Sequence, residues 1–210
     1  MSMIKIKHNR VLVQIGTNNG CDEFNGIVKY CEPSKVVLVE PNKLLNPQIY
    51  NNYKSISNVF VENVAITEKN KGNVRIVKPK NNGSKKVTYN DKHYSLLPMD
   101  DWGDNFDEII TPSMSFMTLC EKHKIDHIHY LQVDTEGYDA EIIKSIDFKK
   151  VRIDIIKYED WSFNQECFSR YGEDKKKYGV NGMLAVSMLL EAIGYIIVRD
   201  CADYIAIRYE

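Results

Sequence analysis

Two carboxylates stand at the end of one apolar run, where they could accept a proton or hold a polar substrate. The stretch "YLQVDTEGYDAEIIKSIDF" (130–148) changes from apolar to acidic at Asp134 and Glu136. Isoleucines then recur at the spacing of one helix face, so both acids stand between a predicted strand and a predicted helix. Acids at a buried sheet edge cost desolvation energy unless they have partners. We therefore take Asp134 and Glu136 as candidate catalytic groups.

A glycine turn near the start of the chain is the second candidate site. The stretch "VLVQIGTNNG" (11–20) is an apolar run that leads into Gly16, Asn18 and Gly20. In a dinucleotide-binding turn a glycine stands where Asn18 stands, which lets the backbone approach a pyrophosphate. The phosphate-binding GxxxxGK[ST] motif is also missing here. The turn therefore favours a ligand without a pyrophosphate.

An acid ends the next predicted strand, "VVLVE" (36–40), and Pro41 follows it. In this position Glu40 could accept both hydroxyls of a ribose. A ribose without a pyrophosphate suggests S-adenosylmethionine, whose amino-acid end could hydrogen-bond to Asn18 and Gln14. The alternative is an ordinary turn with a surface acid at Glu40. The preceding strand, the following helix and the acid together favour the cofactor site.

The elements that position these residues alternate between strands and helices, which is typical of a doubly wound α/β sheet. Strands are predicted at 11–16, 36–40, 58–66, 128–134 and 151–159. Helices are predicted at 22–31, 43–53, 115–123, 138–146 and 183–193, with Gly194 as the last helix's cap. The terminal runs "YIIVR" and "DYIAIRY" predict an antiparallel hairpin. We expect one domain over 1–210, in which the polar regions 67–112 and 160–182 form lid or insert loops.

The composition excludes several classes of protein. A net charge of -1 gives no general attraction to nucleic acid or to an anionic membrane. No apolar run approaches the roughly 18 residues that a membrane span needs. The cysteines are scattered and odd in number, which argues against a disulfide framework and favours a reducing compartment. We predict a cytoplasmic protein.

Several motifs together resemble one family, the FkbM-type S-adenosylmethionine-dependent methyltransferases. They are "VLVQIGTNNG", "VVLVEPN", "VENVAI", "LQVDTEGYDAEIIKSIDF" and "LLEAIGYIIV", and the resemblance spans residues 10–208. It implies a Rossmann-like methyltransferase fold, a mostly parallel seven-stranded sheet whose last strand is antiparallel. It also implies methyl transfer to a hydroxyl oxygen, often on a sugar or a natural product.

The resemblance assigns roles to the residues already singled out. The methionine end of the cofactor would be lined by Gly16, Asn18 and Gly20, and Glu40 would hold the ribose. Asp134 would lie beside the donor methyl group. The adenine would be flanked by residues that end the third strand, Asn63, Val64 and Ala65. Two positions depart from the family pattern, because an acid is common where Gln14 stands and a lysine where Gln132 stands.

For a hydroxyl acceptor, the protein must align the donor and supply a general base. The candidate bases stand at strand ends and in the predicted lids: Asp134, Glu136, His93, Glu159 and Asp160. A lone loop histidine such as His93 is more often simply solvated. A less favoured alternative places Mg²⁺ on Asp134 with Glu159 or Asp160. Tyr158 and Trp161 could stack on a sugar ring, although core packing is an equal alternative for such aromatics.

His123, His127 and His129 have a spacing that invites a metal-site hypothesis. However, they precede the strand that ends at Asp134, so they should lie at the opposite edge of the sheet. We expect no metal at these histidines.

Two other functions remain open at this stage, and the oligomeric state is not predicted. A nicotinamide-dependent oxidoreductase could share the fold, although Asn18 argues against it. A methyltransferase-like binding module with little or no catalysis would be consistent with Gln14 and Gln132.

Overall fold

The computed structural model describes residues 9–80, 94–97, 106–159, 179–201 and 203–209. Their strands are, in chain order, β1 Val11–Ile15, β2 Lys35–Val39, β3 Val59–Glu62, β4 Ala65–Thr67, β5 Asn73–Pro79, β6 Phe106–Ser115, β7 His127–Ile128, β8 Tyr130–Val133, β9 Arg152–Ile153, β10 Ile155–Glu159, β11 Tyr195–Asp200 and β12 Asp203–Arg208. The helices are α1 Glu23–Cys31, α2 Asn46–Tyr53, α3 Phe116–His123, α4 Asp139–Lys144 and α5 Gly179–Ala192. A 3-10 turn, Lys43–Leu45, precedes α2.

The main sheet has seven strands in the order β11-β12-β10-β8-β1-β2-β3. The pairs among β10, β8, β1, β2 and β3 are parallel, whereas β12 is antiparallel to both of its neighbours. The predicted fold class, with its antiparallel terminal hairpin, is confirmed. Parallel strands end at one edge of a sheet, so the ends of β1, β2 and β8 lie together.

Helices cover both faces of this sheet, which explains why its central strands are mostly apolar, although Gln14 lies in β1 and Gln132 in β8. On β1, Leu12 packs with Phe24 of α1 and Ile49 of α2 on one face. Its neighbour Val13 packs on the other face with residues of α3, α4 and α5. No helix within the described ranges is both long and apolar enough to cross a bilayer.

A second, three-stranded sheet departs from the sequence prediction. Its order is β4-β6-β5, with β5 antiparallel to β6. The expectation that 67–112 consists of loops is therefore wrong for residues 73–79 and 106–112. Their apolar residues, such as Ile76 and Val77, form runs that are short and flanked by polar residues, so the pattern did not reveal these strands. In the other predicted loop, 160–178 lies outside the described residues and 179–182 belongs to α5.

Three predicted strands are interrupted in the structure. Region 58–66 divides into β3 and β4, 128–134 into β7 and β8, and 151–159 into β9 and β10. The predicted helix at 183–193 begins earlier, at Gly179. Its cap is as expected, because Gly194 has a φ of 92° and its N–H donates to Glu191 O at 3.1 Å.

Candidate active site

A cleft of about 630 Å³, partly open to solvent, lies at the edge where β1, β2 and β8 end. The residues that line it are Ile15, Gly16, Asn18, Val39, Glu40, Pro41, Val64, Ala65, Ile66, Ile76, Tyr94, Leu96, Asp134, Thr135, Glu136 and Tyr138. The cleft thus joins the glycine turn, the acid after β2 and both acids after β8.

The glycine turn is held against the end of β2. The N–H groups of Gly16 and Thr17 both donate to Val39 O at 3.0 Å, and Gly20 N–H donates to Thr17 O. Gly16 and Asn18 have positive φ angles of 83° and 54°. A left-handed conformation is unusual outside glycine, and asparagine is among the residues that tolerate it best. The turn therefore has a fixed shape before any ligand binds.

Glu40 joins this turn to the region after β2. Its Oε2 accepts from Asn18 N–H at 2.8 Å and its Oε1 accepts from Asn42 N–H at 2.8 Å. The side chain is buried, and burial raises the pKa of Glu40 to about 7, although these two hydrogen bonds oppose the rise. Each carboxylate oxygen can accept more than one hydrogen bond. Glu40 can therefore hold the turn and still accept ligand hydroxyls.

The residues of the cleft fit a nucleoside with an amino-acid end. Asn18 Oδ1 is buried and has no hydrogen-bond partner among the described residues, so it can accept from an ammonium group. Val64, Ile66 and Ile76 offer the apolar surface that an adenine ring needs. S-adenosylmethionine has these three parts: an amino acid, a ribose and an adenine.

Three predicted cofactor residues lie outside the cleft lining. Gln14 faces α1, where its Nε2 donates to Asp22 Oδ2 at 2.6 Å. Gly20 packs against the ring of Tyr53. The Asn63 amide is used within the protein, because its Nδ2 donates to Glu40 O at 2.9 Å and to Asn46 at 2.8 Å. Direct contact of Gln14, Gly20 and Asn63 with a cofactor stays a prediction.

The acids after β8 are protonated more readily than ordinary carboxyl groups. Burial, and then the charges of Glu159 and Asp139, raise the pKa of Asp134 well above its usual range. Burial is the largest cause that raises the pKa of Glu136 to about 8, and the negative charges of Asp134 and Asp139 add to it. Groups of this kind in a cleft suit proton transfer near neutral pH.

Asp139 fixes the turn that carries these acids. It is fully buried at the start of α4, where its Oδ1 accepts from Thr135 N–H at 2.8 Å. Its Oδ2 accepts from the backbone N–H of Glu159 at 3.2 Å. Glu159 is not among the cleft-lining residues, but its charge acts on Asp134.

One wall of the cleft was missed in the sequence. It consists of Ile76 on β5 together with Tyr94 and Leu96 of the segment 94–97. Ser95 anchors this segment, since its backbone pairs with Val77 at 2.9 Å in both directions and its Oγ donates to Glu136 O at 2.7 Å. These contacts join residues far apart in the chain, and no local motif signals them. Tyr138 directly follows the acidic turn, so its place in the sequence could have predicted that it lines the cleft.

Other predicted groups lie elsewhere. Tyr158 is fully buried and stacks on Tyr204 with ring centroids 5.6 Å apart, so the sugar-stacking hypothesis is wrong for this residue. His93, Asp160 and Trp161 lie outside the described residues. His123 Nε2 pairs with Glu62 Oε1 at 2.8 Å, apart from His127 and His129.

The sheet order and the contents of its cleft define a class of protein. A mostly parallel seven-stranded sheet with one antiparallel strand near its edge carries a glycine turn, a buried acid after β2 and acids after β8. This is the arrangement of a Rossmann-like, S-adenosylmethionine-dependent methyltransferase.

The chain belongs to the FkbM methyltransferase family, because the sequence profile of the Methyltransferase FkbM domain matches residues 14–197. It is an S-adenosylmethionine-dependent methyltransferase, and the nicotinamide-dependent alternative is set aside. A search of curated protein sequences finds no significant match.

Solved methyltransferase structures are similar in fold at low sequence identity. An O-methyltransferase from Bacillus cereus in complex with S-adenosylhomocysteine has a TM-score of 0.50 and 11% identity, over 95% of this chain and 74% of that one. A putative methyltransferase from Streptococcus mutans, also with S-adenosylhomocysteine, has a TM-score of 0.49 and 10% identity, over 97% and 90% of the two chains. An FkbM methyltransferase from Methylobacillus flagellatus KT has a TM-score of 0.49 and 11% identity, over 98% of this chain and 45% of that one.

Proposed function

We propose that this protein transfers a methyl group to a hydroxyl oxygen of a small molecule, with a sugar as the favoured acceptor class. The observation that carries the proposal is the pair of half-buried carboxyl groups, Asp134 and Glu136, in the same cleft as Glu40 and Asn18. A hydroxyl needs a base when it attacks carbon. A carboxyl group whose pKa lies near neutrality is suited to that role.

Each group has a distinct part in the reaction. Bound S-adenosylmethionine would supply a methyl group on a positively charged sulfur. Glu40 would accept its ribose hydroxyls, and Asn18 Oδ1 would accept from its ammonium group. Asp134 or Glu136 would take the proton of the acceptor hydroxyl. The rigid turns supply alignment, which is the largest demand of an in-line displacement.

Aromatic side chains at the cleft support a sugar acceptor. Tyr94 and Tyr138 line it, and Lys78 Nζ lies 5.7 Å from the centre of the Tyr94 ring. An aromatic face packs well against the apolar face of a sugar ring. We propose that Tyr94 takes the role that the sequence suggested for Tyr158.

A requirement for Mg²⁺ is kept as a separate, less favoured proposal, with Asp134 and Glu159 as ligands. In the described part of the chain, no three ligand atoms of the cleft lie close enough together to share an ion. Chelation with EDTA tests the proposal, since a loss of turnover that added Mg²⁺ restores would assign the ion a role.

The partners and the cellular setting follow the sequence predictions. We propose a small-molecule or glycan acceptor, without a nucleic-acid substrate, on the basis of the near-zero net charge. Cys21, Cys31, Cys120 and Cys201 are free thiols, in keeping with a reducing, cytoplasmic setting.

Calorimetric titration with S-adenosylhomocysteine, with NAD as the control, is the first experiment. Binding of S-adenosylhomocysteine alone supports the cofactor site. Transfer of a labelled methyl group is then measured on a panel of sugars and other hydroxyl compounds, with amines as controls. Transfer to a hydroxyl supports the proposal, and transfer to an amine contradicts it. Cofactor binding without transfer to any compound favours the binding-module alternative.

A further inference from the structure

Two histidines and an aspartate meet at the sheet edge opposite the cleft. His127 begins β7, His129 lies between β7 and β8, and Asp154 lies between β9 and β10. Strands β7 and β9 are parallel, and His127 stands opposite Arg152. Two residues further along both strands, this register brings Asp154 beside His129. One ring nitrogen of each histidine and one carboxylate oxygen all lie within 4.8 Å of one another.

The backbone explains why these side chains converge. Residues two apart in an extended segment point to the same side, so His127 and His129 project together. Their rings stack with centroids 4.1 Å apart. His127 Nε2 donates to Asp154 Oδ2 at 2.7 Å, while Arg152 Nε donates to Asp154 Oδ1 at 2.9 Å. Arg152 thereby turns the other carboxylate oxygen towards the histidines.

The cluster is also accessible. The side chain of His127 is 37% exposed and that of Asp154 is 29% exposed. An ion could therefore enter from solvent and keep water as a further ligand.

We propose that His127, His129 and Asp154 form a binding site for a divalent transition-metal ion such as Zn²⁺. Imidazole nitrogens and a carboxylate oxygen are ligands that Zn²⁺ prefers, and water completes a tetrahedral site. Because the cluster lies at the opposite end of the strands from Asp134, the ion would connect β7 and β8 with β9 and β10 and take no part in methyl transfer. The sequence predicted no metal at these histidines because they should lie at the edge opposite Asp134, and the spacing of the histidines does not reveal that Asp154 joins two of them.

Binding has a cost that limits its affinity. His129 Nδ1 accepts from Val11 N–H at 3.2 Å, and His127 Nε2–H is bonded to Asp154. An ion must replace or rearrange these hydrogen bonds and draw the ligand atoms closer together. We therefore expect a weaker site than a closed structural zinc site with thiolate ligands.

The test is calorimetric titration of the full chain with Zn²⁺. The exposed thiols of Cys21 and Cys201 are a background that all variants share. The variant His127→Gln/His129→Gln should lose one bound ion per chain. The matched control, His123→Gln, removes the histidine that pairs with Glu62 and should bind as the unaltered chain does.

Asp154→Asn serves as a second variant if the double variant does not fold, and we expect it to weaken binding by roughly tenfold or more. Zn²⁺ should also raise the thermal midpoint of the unaltered chain but not of the double variant. Equal stoichiometry and affinity in the unaltered chain and the double variant would overturn the proposal. So would a failure of the unaltered chain to bind more Zn²⁺ than its thiols account for.

Discussion

The α-carbon of Gly16 lies directly against the backbone of Asp134. A Cβ atom at position 16 would stand 1.7 Å from the Asp134 carbonyl oxygen. The turn after β1 and the acidic end of β8 thus touch through main-chain atoms. The part of the cleft that we propose for the cofactor and the part that we propose for catalysis are held together at this point.

The change Gly16→Ala should disrupt this contact. The alanine would have to adopt a φ near 83° and would clash with a backbone atom that cannot rotate away. We expect the free energy of unfolding to fall by about 3 kcal/mol or more, with loss of S-adenosylhomocysteine binding. Chemical denaturation and calorimetry measure the two effects.

Gly26 provides the matched control. It lies in α1, and nothing stands within 4 Å of a Cβ added there. Gly26→Ala should raise the free energy of unfolding by about 0.5 to 1 kcal/mol and leave cofactor affinity unchanged. If both alanine variants had the same stability and cofactor affinity, the close contact at Gly16 would not be what stabilises the fold and the cofactor site.

Cofactor affinity should depend on pH through Glu40. Burial raises the pKa of Glu40 to about 7, so the carboxylate that we propose as the acceptor of the ribose hydroxyls is fully formed only above that pH. Affinity for S-adenosylhomocysteine should therefore rise as the pH increases from 6 to 8. The variant Glu40→Gln should bind more weakly and lose most of this dependence, as titrations at several pH values would show.

The same pKa has an opposite consequence for stability. The pKa of Glu40 in the folded state lies above its ordinary value of 4.5. The folded protein therefore binds more protons than the unfolded chain between these values, and the contribution of Glu40 to stability falls as the pH rises through this range. A contribution of Glu40 that rose with pH over that interval would contradict the burial argument.

Methyl transfer should require a deprotonated carboxyl group beside the acceptor. Burial, together with the smaller effect of the charges of Asp134 and Asp139, raises the pKa of Glu136 to about 8. The value of kcat/KM should therefore increase with pH up to about 8. Asp134→Asn should lower turnover by roughly 100-fold or more while cofactor affinity changes far less. If Glu136→Gln flattened the profile and Asp134→Asn did not, Glu136 would be the base.

Lys157 should stabilise the start of α1 from outside the cleft. Its Nζ pairs with Glu23 Oε1 at 2.9 Å and with Asp203 Oδ2 at 2.8 Å, and Gln132 Nε2 donates to the same Glu23 oxygen at 3.0 Å. The side chain of Glu23 is 53% exposed, which weakens that pair by solvent screening. We expect Lys157→Met to lower the free energy of unfolding by about 1 kcal/mol.

Two further variants sharpen this prediction. Lys150 pairs with Asp147 on an exposed surface, so Lys150→Met should change stability by less than about 0.5 kcal/mol. Adding Gln132→Lys to Lys157→Met moves the cation to the neighbouring strand, within reach of the same Glu23 oxygen, and should restore part of the loss. No recovery would mean that Asp203 is the partner that matters.

The sequence predicted which residues stand at the ends of the parallel strands. Glu40 and Asp134 were identified because each follows an apolar run, and neighbouring parallel strands bring such residues to one edge. Gly16 and Asn18 followed from the same reasoning.

The sequence could not predict contacts that depend on tertiary pairing. The wall formed by Tyr94 and Leu96 exists because Ser95 pairs with Val77 and binds Glu136 O, and no periodicity encodes either contact. The sequence placed Asn63 beside the adenine, but it could not show that the Asn63 amide also donates to Asn46; its contact with the cofactor stays a prediction. Which way a polar side chain turns after a strand is decided by its neighbours in space.

The second sheet has a consequence for how the family can diversify. Asn18, Glu40 and Asp134, which we propose for the donor side of the cleft, follow strands of the main sheet, whereas Tyr94 and Leu96 come from the stretch of chain between β5 and β6. Mutations in that stretch could reshape the space that we propose for the acceptor while the ends of the main strands keep their geometry. A change of substrate would then leave the residues proposed for the methyl donor in place, and a protein engineer could exchange the same stretch.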